Sequence, residues 1–260
     1  MALAEKRVQT ELASELAQTY ATLFCWTDAV HVLERALASL GEAPPLTAAH
    51  LQSQLVAAGL QDARVAPRAL ELMKQMSRRR LLGAPAVILA VARGMVAIMT
   101  GRRARQAAIP LERALASLGS EIENWDLQAA LWWSLLLAER FSVVEAALES
   151  QRERVNRSGS SRALVAVYIT VGLLKFRLGA LPEADAAARV ALQVAQGGDF
   201  APGLPFAATV LADVAVASGD LNEAEALLDP PASRQIAGWR RHRVDPGRAG
   251  SAAACSRTSK

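Results

Sequence analysis

The nine residues Leu-Glu-Arg-Ala-Leu-Ala-Ser-Leu-Gly occur twice in this chain, at 33–41 and again without change at 111–119. The two copies are 78 residues apart, which is two steps of 39. A related pattern, Gly-x-Leu-x-Glu-Ala, begins at Gly179 and again 40 residues later at Gly219. A fixed period of this length is typical of stacked helix pairs, in which no single unit buries its apolar face alone. The period therefore predicts an array of helical repeats.

The composition favours the same fold class. Hydrophobic residues make up 52% of the chain but aromatic residues only 5%, and the common apolar residues are Ala and Leu, which are strong helix formers. No strand pattern is present. We predict an all-α fold over residues 1–229, a TPR-like α-solenoid of about six antiparallel helix pairs. The expected helices are 3–23 and 27–41, 47–58 and 62–77, 84–100 and a partner ending at 118, 124–139 and 143–155, 162–178 and 182–195, and 205–218 and 222–228.

Two prolines bear on these boundaries. Pro67 is expected near the start of its helix, where a missing N–H costs least. Pro110 falls inside the second helix of the third pair, which predicts either a late start or a kink in that helix.

The charge is concentrated at the end of the chain. The net charge is +4, but residues 230–260 hold seven basic side chains and one acidic one, so residues 1–229 carry −2. Such a body has no overall excess of charge to attract nucleic acid or a membrane surface, so nucleic acid is not expected to be a partner. The helical period also stops at 229, which predicts a disordered, basic tail over 230–260.

The cellular location is predicted from two further features. Cys25 and Cys255 are too few and too far apart for a disulfide framework, which favours a reducing cytosol. The N-terminal residues lack the apolar run of a signal peptide. The longest apolar stretches, 84–99 and 163–174, are shorter than the ~20 residues that cross a bilayer. We therefore expect a cytoplasmic protein that makes no contact with a membrane.

The helix pairs resemble tetratricopeptide (TPR) repeats, which place a Leu-small pair in the first helix, a glycine in the turn and a small residue in the second helix. The sixth pair fits this frame through Leu211-Ala212, Gly219 and Ala224. The fifth pair fits through Val171-Gly172, Gly179 and Ala184, and the first pair fits too, through Trp26 and Ala29. The third and fourth pairs are one residue out of step, and the second is weak. The period of about 39 exceeds the ~34 residues of an ordinary TPR unit.

Several Ala-, Leu- and Arg-rich phrases resemble the superhelical region of the large ATP-binding LuxR-family regulators, the MalT-like transcription activators. These phrases are 29–37, 138–141, 178–186, 187–192 and 219–228. The resemblance covers most of residues 3–229. It implies a regulatory region that binds a small-molecule inducer or another protein on its concave face.

The chain departs from that family in two respects. Members carry an N-terminal nucleotide-binding domain, but none of the four lysines here follows a glycine, so no Gly-x-x-x-x-Gly-Lys-Ser/Thr loop is present. Members also carry a C-terminal helix-turn-helix, and no recognition helix is evident after residue 229. The resemblance therefore implies a fragment or truncated relative that is not an enzyme. The alternative is a free-standing TPR-like adaptor for protein–protein interaction.

Trp125, Trp132 and Trp133 form the main aromatic group of the sequence. Trp125 and Trp132 are seven residues apart and share one helix face. We interpret them as packing between repeats, and the alternative is a ligand-stacking wall on the inner surface. The nearby acids Glu121 and Glu123 complement the positive end of a helix rather than forming a catalytic pair.

Asp213 is the third candidate contact for a ligand or partner. It interrupts the apolar stretch 210–216, so it is predicted to lie either on the concave surface or hydrogen-bonded inside. His and Cys residues show no ligand spacing, and the sequence predicts neither a metal nor another cofactor.

Two expectations concern packing. Gly172 and Ala212 are predicted to lie where helices approach closely. The sixth pair ends the array without a polar cap, which would leave Leu211, Leu227 and Leu228 near an exposed apolar surface. Such a surface favours self-association or fraying.

Overall fold

The structure of the chain, a computed structural model, describes residues 2–40, 45–101, 104–118, 125–197 and 200–228. These residues form twelve α-helices and a three-residue 3₁₀ helix, Ala201–Gly203, and no strand. The helices are α1 (Ala2–Thr22), α2 (Trp26–Leu40), α3 (Pro45–Gly59), α4 (Ala66–Met76), α5 (Ala84–Met99), α6 (Ala104–Leu118), α7 (Trp125–Leu137), α8 (Phe141–Ser158), α9 (Ser161–Arg177), α10 (Leu181–Gln196), α11 (Leu204–Ser218) and α12 (Leu221–Leu228). The predicted tail, 230–260, lies outside the described residues.

The helices form six pairs, α1–α2 to α11–α12, that stack in sequence order. The first helix of each pair contacts the first helix of the next, from α1 and α3 to α9 and α11. The second helix of each pair also contacts the first helix of the next, as α2 contacts α3 and α10 contacts α11. This translational order between successive pairs confirms the predicted all-α helical-repeat fold.

The same turn joins the two helices of the first, fourth, fifth and sixth pairs. One turn residue adopts a left-handed conformation, with φ between 57° and 84°, at Phe24, Glu139, Gly179 and Gly219. The N–H of the next residue donates to the carbonyl oxygen five residues earlier, at 2.8–2.9 Å, which is the bond of a Schellman motif. The expectation that the fourth pair is out of step is therefore wrong. Its register was hidden because Glu139 stands where a glycine is expected.

The position seven residues before the left-handed residue is buried in each of these four pairs and also in the third pair, where the left-handed residue is Gly101 with a φ of 66°. It is small in the first, third, fifth and sixth pairs, where it is Ala17, Gly94, Gly172 and Ala212. In the fourth pair it is Trp132. The predicted close approach at Gly172 is confirmed, because a Cβ there would lie 3.1 Å from Val210 Cγ1 and 3.4 Å from the Ala184 carbonyl oxygen.

The prolines occupy two different helix positions. Pro67 is the second residue of α4, as predicted. Pro110 lies inside α6, which begins at Ala104, so of the two alternatives predicted for that helix the late start is wrong.

One segment, 201–218, is long and apolar enough to cross a membrane by length and composition alone. Half of it is buried, because α11 packs against α9, α10 and α12. A core helix of a helical array passes the same test.

Candidate functional site

The first helices of the pairs form one continuous layer of the array. Helices α7 and α11 both contact α9, and side chains from the two meet beside it. The ring centroids of Trp133 on α7 and Phe206 on α11 are 5.1 Å apart. The indole N–H of Trp133 donates to Thr170 Oγ1 of α9 at 3.0 Å. Side chains of α7 and α11 thus meet across α9, and we call this side of the α7–α9–α11 layer the inner face.

The first helix pair returns to this inner face. The ring of Phe24, in the turn between α1 and α2, lies 5.7 Å from that of Phe206 and 6.0 Å from that of Trp26. At the start of α9, Arg162 donates from Nη2 to the hydroxyl of Thr22 at 2.7 Å, across 140 residues of sequence. The array therefore closes on itself, with the first pair joined to the fifth and sixth.

We call Phe24, Trp26, Trp133 and Phe206 the inner aromatic cluster. All four side chains are half-buried. Phe24 has a φ of 57°, and the left-handed conformation costs a non-glycine residue about 1–2 kcal/mol. The fifth and sixth pairs avoid this strain with Gly179 and Gly219 at the same turn position. Strained residues concentrate at functional sites. The strained backbone of Phe24 therefore makes this cluster a candidate functional site.

Charged groups of both signs lie near the cluster. The guanidinium of Arg162 stands over the ring of Phe200, 5.4 Å from its centroid. Asp213 is exposed on α11, on the helix face that carries Phe206 and about 10 Å further along the axis. The exposure of Asp213 excludes the predicted alternative of an interior position. The inner face thus offers a ligand aromatic rings, a cation and a carboxylate.

The two predicted tryptophans lie in the core instead. Trp125 is 8% exposed and Trp132 is 1% exposed, and both belong to a hydrophobic cluster built from the third, fourth and fifth pairs. The guanidinium of Arg154 stands 5.6 Å from the Trp125 ring centroid. Their burial matches the packing interpretation and removes both rings from the inner surface. Their neighbour Trp133 is only half-buried and is the tryptophan of α7 whose ring is partly exposed.

Sequence reasoning missed Phe24 and Phe206 because 182 residues separate them. One signal was available: a phenylalanine occupies a turn position at which the fifth and sixth pairs have glycine. The acids Glu121 and Glu123 lie outside the described residues. In the part of the chain that the structure describes, no group of three His, Cys, Asp or Glu side chains is placed to hold a metal ion.

The C-terminal end of the array differs in part from expectation. Leu211 is 1% exposed, so its predicted place near the end surface is wrong. It packs between α9 and α10 within a buried cluster. Leu221 and Leu228 of α12 are 65% and 60% exposed, and self-association through this end stays a prediction.

Comparison with solved structures finds a structural likeness. The crystal structure of BtubC (BKLC) from P. vanneervenii is similar at 19% sequence identity, with 93% of each chain covered and a TM-score of 0.48. A likeness at this level carries no argument about function. The sequence matches no protein-family model, and no match was found among curated proteins.

Proposed function

We propose that this chain is a recognition domain whose inner aromatic cluster binds a peptide segment or a small-molecule inducer. The observation that carries the proposal is the meeting of half-buried aromatic rings from the first, fourth and sixth pairs on the inner face. Aromatic rings bury a large area and stack on planar or apolar ligands. Sites that bind small molecules combine such rings with a few well-placed polar groups, here Arg162 and Asp213.

Because the first pair contacts the fifth and sixth pairs, binding of a ligand between them would change the shape of the array. A ligand that touches both Phe24 and Phe206 contacts the first and sixth pairs together. It therefore binds the closed array more tightly than an open one and shifts the population toward the closed form. Coupling of this kind is what a sensory region needs, and it requires no catalytic group.

More specifically, we propose that the chain is a regulatory region of a MalT-like transcription regulator. The segments that resemble that family support this assignment. We further propose a cytoplasmic location and a non-enzymatic role. A free-standing adaptor would have the same fold. The coding sequence on either side of the gene separates the two, because a regulator requires an adjoining P-loop and helix-turn-helix.

The binding proposal is tested by a thermal-shift screen of the full chain against sugars, other metabolites and a random peptide pool. A ligand at 100 times its Kd stabilises the folded state by about 2.7 kcal/mol, which raises Tm by about 5–10 °C for a domain of this size. We expect Phe206→Ala to abolish the shift.

Phe176→Ala is the matched control, because Phe176 is half-buried on α9 and lies outside the cluster. It should lower the basal Tm but keep the ligand-induced shift. A ligand that stabilises Phe206→Ala and the wild type equally would place the site elsewhere.

A further inference from the structure

The body of the chain has a basic centre and acidic flanks. Residues 45–118, the second and third pairs, contain eleven Lys and Arg but only three Asp and Glu. The other residues up to 229 contain eleven Lys and Arg and twenty-one Asp and Glu. The net charge of −2 for the whole body therefore hides a centre of +8. A charge difference of this size steers an oppositely charged partner to one part of a surface.

A groove runs through this basic centre on the outer side of the array. Its floor is α5, and it is bordered by the segment that follows α4 and by Pro110 of α6. It encloses about 180 Å³, with Arg79 and Arg93 as its charged lining and Leu81, Ala86, Leu89 and Ala90 as its apolar lining. We call it the outer basic groove. It is bordered by α6 and the segment after α4, which belong to the second-helix side of the array, and it shares no residue with the inner aromatic cluster.

The arginines of the groove are not neutralised within the described residues. Elsewhere in the basic centre, Arg64, Arg68 and Lys74 each pair with an acid at 2.8–3.4 Å. Arg78, Arg79, Arg80 and Arg93 are exposed, and the part of the chain that the structure describes gives none of them an ion pair. Arg79 makes one hydrogen bond, to Gln52 Oε1 at 3.2 Å. Several N–H donors are thus left for an external anion.

The groove is also flanked by exposed apolar side chains. Leu82 is 68% exposed and Ile109 is 50% exposed, and each adjoins a residue that lines the groove. The α5 positions 86, 89, 90 and 93 follow helical spacing and form one face. A surface that combines an apolar stripe with cations fits an amphipathic helix whose polar side is acidic. None of the described residues that line the groove is aromatic, so they provide no stacking platform of the kind that single-stranded nucleic acid uses.

We propose that the outer basic groove docks an acidic helical segment of a partner protein, with leucine or isoleucine on its apolar side. The chain's own segment 230–260 does not fit, because it is itself basic, with seven Lys and Arg against one acid. The partner's carboxylates would pair with Arg79 and Arg93, and its apolar side chains would cover the floor of the groove.

The test is selection of a random peptide library on the full-length protein, followed by measurement of the best peptides by fluorescence anisotropy. We expect the selected peptides to carry Asp or Glu together with Leu or Ile at helical spacing. Arg79→Glu combined with Arg93→Glu should weaken them about tenfold, because two ion pairs are lost and the introduced carboxylates repel the acids of the peptide. Binding should also weaken as the salt concentration rises from ~0.1 to ~0.5 M.

The matched control reverses the same amount of charge elsewhere, with Arg35→Glu and Arg157→Glu, both on exposed sites outside the groove. It should leave peptide binding within about twofold, because no groove contact is lost. The proposal is overturned if the selected peptides lack acids or bind the groove variant as well as wild type. It is also overturned if a short DNA duplex binds the groove more tightly than the best peptide. Sedimentation velocity adds one further outcome: a dimer lost in the groove variant assigns the groove to a second copy and overturns the proposal.

Discussion

The fourth and fifth helix pairs follow one register but pack in opposite ways. Both have the same turn, with Arg140 N–H donating to Leu135 and Ala180 N–H donating to Lys175 at 2.9 Å. Seven residues before the turn residue, the fifth pair has Gly172 and brings α9 close to α10. The fourth pair has Trp132 at that position, buried to 1% exposure.

The second helices differ correspondingly. Five residues after the left-handed residue, the fifth pair has Ala184 and the fourth has Val144, and both are fully buried. A tryptophan opposite a valine holds two helices further apart than a glycine opposite an alanine, because interaxial distance follows side-chain size. The comparison teaches that the turn sets the register of a repeat, while one residue on the first helix sets the spacing of its helices.

The largest effect is expected at Trp132. Trp132→Ala should destabilise the fold by about 3–5 kcal/mol, because it opens a cavity in the cluster shared by three pairs. The urea midpoint measures this. Trp132→Phe should cost far less, since it also removes an indole N–H that has no hydrogen-bond partner in the described part of the chain. Loss of under about 1 kcal/mol in Trp132→Ala would contradict the comparison.

Gly172→Leu makes the fifth pair resemble the fourth and should have the next largest effect. Overpacking against Val210 and Ala184 should cost about 1–3 kcal/mol, partly offset by the helix penalty of glycine, about 1 kcal/mol. Urea unfolding measures the difference. Ala217→Leu, at an exposed site of α11, is the control and should change stability by less than about 0.5 kcal/mol. An unchanged midpoint for Gly172→Leu would show that α9 and α10 separate freely.

Substitutions of the left-handed turn residues should change stability by smaller amounts, and the change should differ between the fourth pair and the first. Glu139→Gly should stabilise the fold by about 0.5–1 kcal/mol, because it relieves left-handed strain at an exposed site. Phe24→Gly relieves the same strain but removes the ring that contacts Phe206. It should therefore give no net stabilisation and should open the array, which small-angle scattering would show as an increased radius of gyration. Equal stabilisation by both changes would remove the argument for closure by Phe24.

In the second pair a polar network takes the place of this turn. Disrupting that network should have the smallest effect on stability. Asp62 accepts hydrogen bonds from the Thr27 hydroxyl and from Arg64. The bonds from Arg64, followed by the bond from Thr27, hold the pKa of Asp62 well below its usual range. The folded state therefore binds the proton less tightly than the unfolded state. The resulting stability is complete above about pH 4 and declines as the pH falls below that value.

Asp62→Asn should therefore flatten the dependence of the urea midpoint on pH between about pH 4 and pH 2. Asp28→Asn, on α2 outside the network, is the control and should keep the wild-type slope. An unchanged slope in Asp62→Asn would show that the network does not contribute to stability.

Much of the fold was predictable because it depends on local periodicity. The repeated nonapeptide places Leu33 on α2 and Leu111 on α6, and both are buried to 1% exposure or less. Each copy also places a glutamate, Glu34 or Glu112, in an ion pair with an arginine of the following pair. Residues 39 or 40 apart meet equivalent surroundings in a stacked array, so a period in the sequence becomes a period in space.

The tertiary structure alone decided which residues share the inner face. In sequence, Trp125 and Trp132 left open a binding wall as the alternative to packing. Neighbouring pairs cover both rings, and this burial depends on how closely the helices pack. Phe24 and Phe206 meet only because small inclinations between successive pairs add up until the first pair reaches the sixth. Curvature of this kind is a sum over the whole array, and no local pattern of residues specifies it.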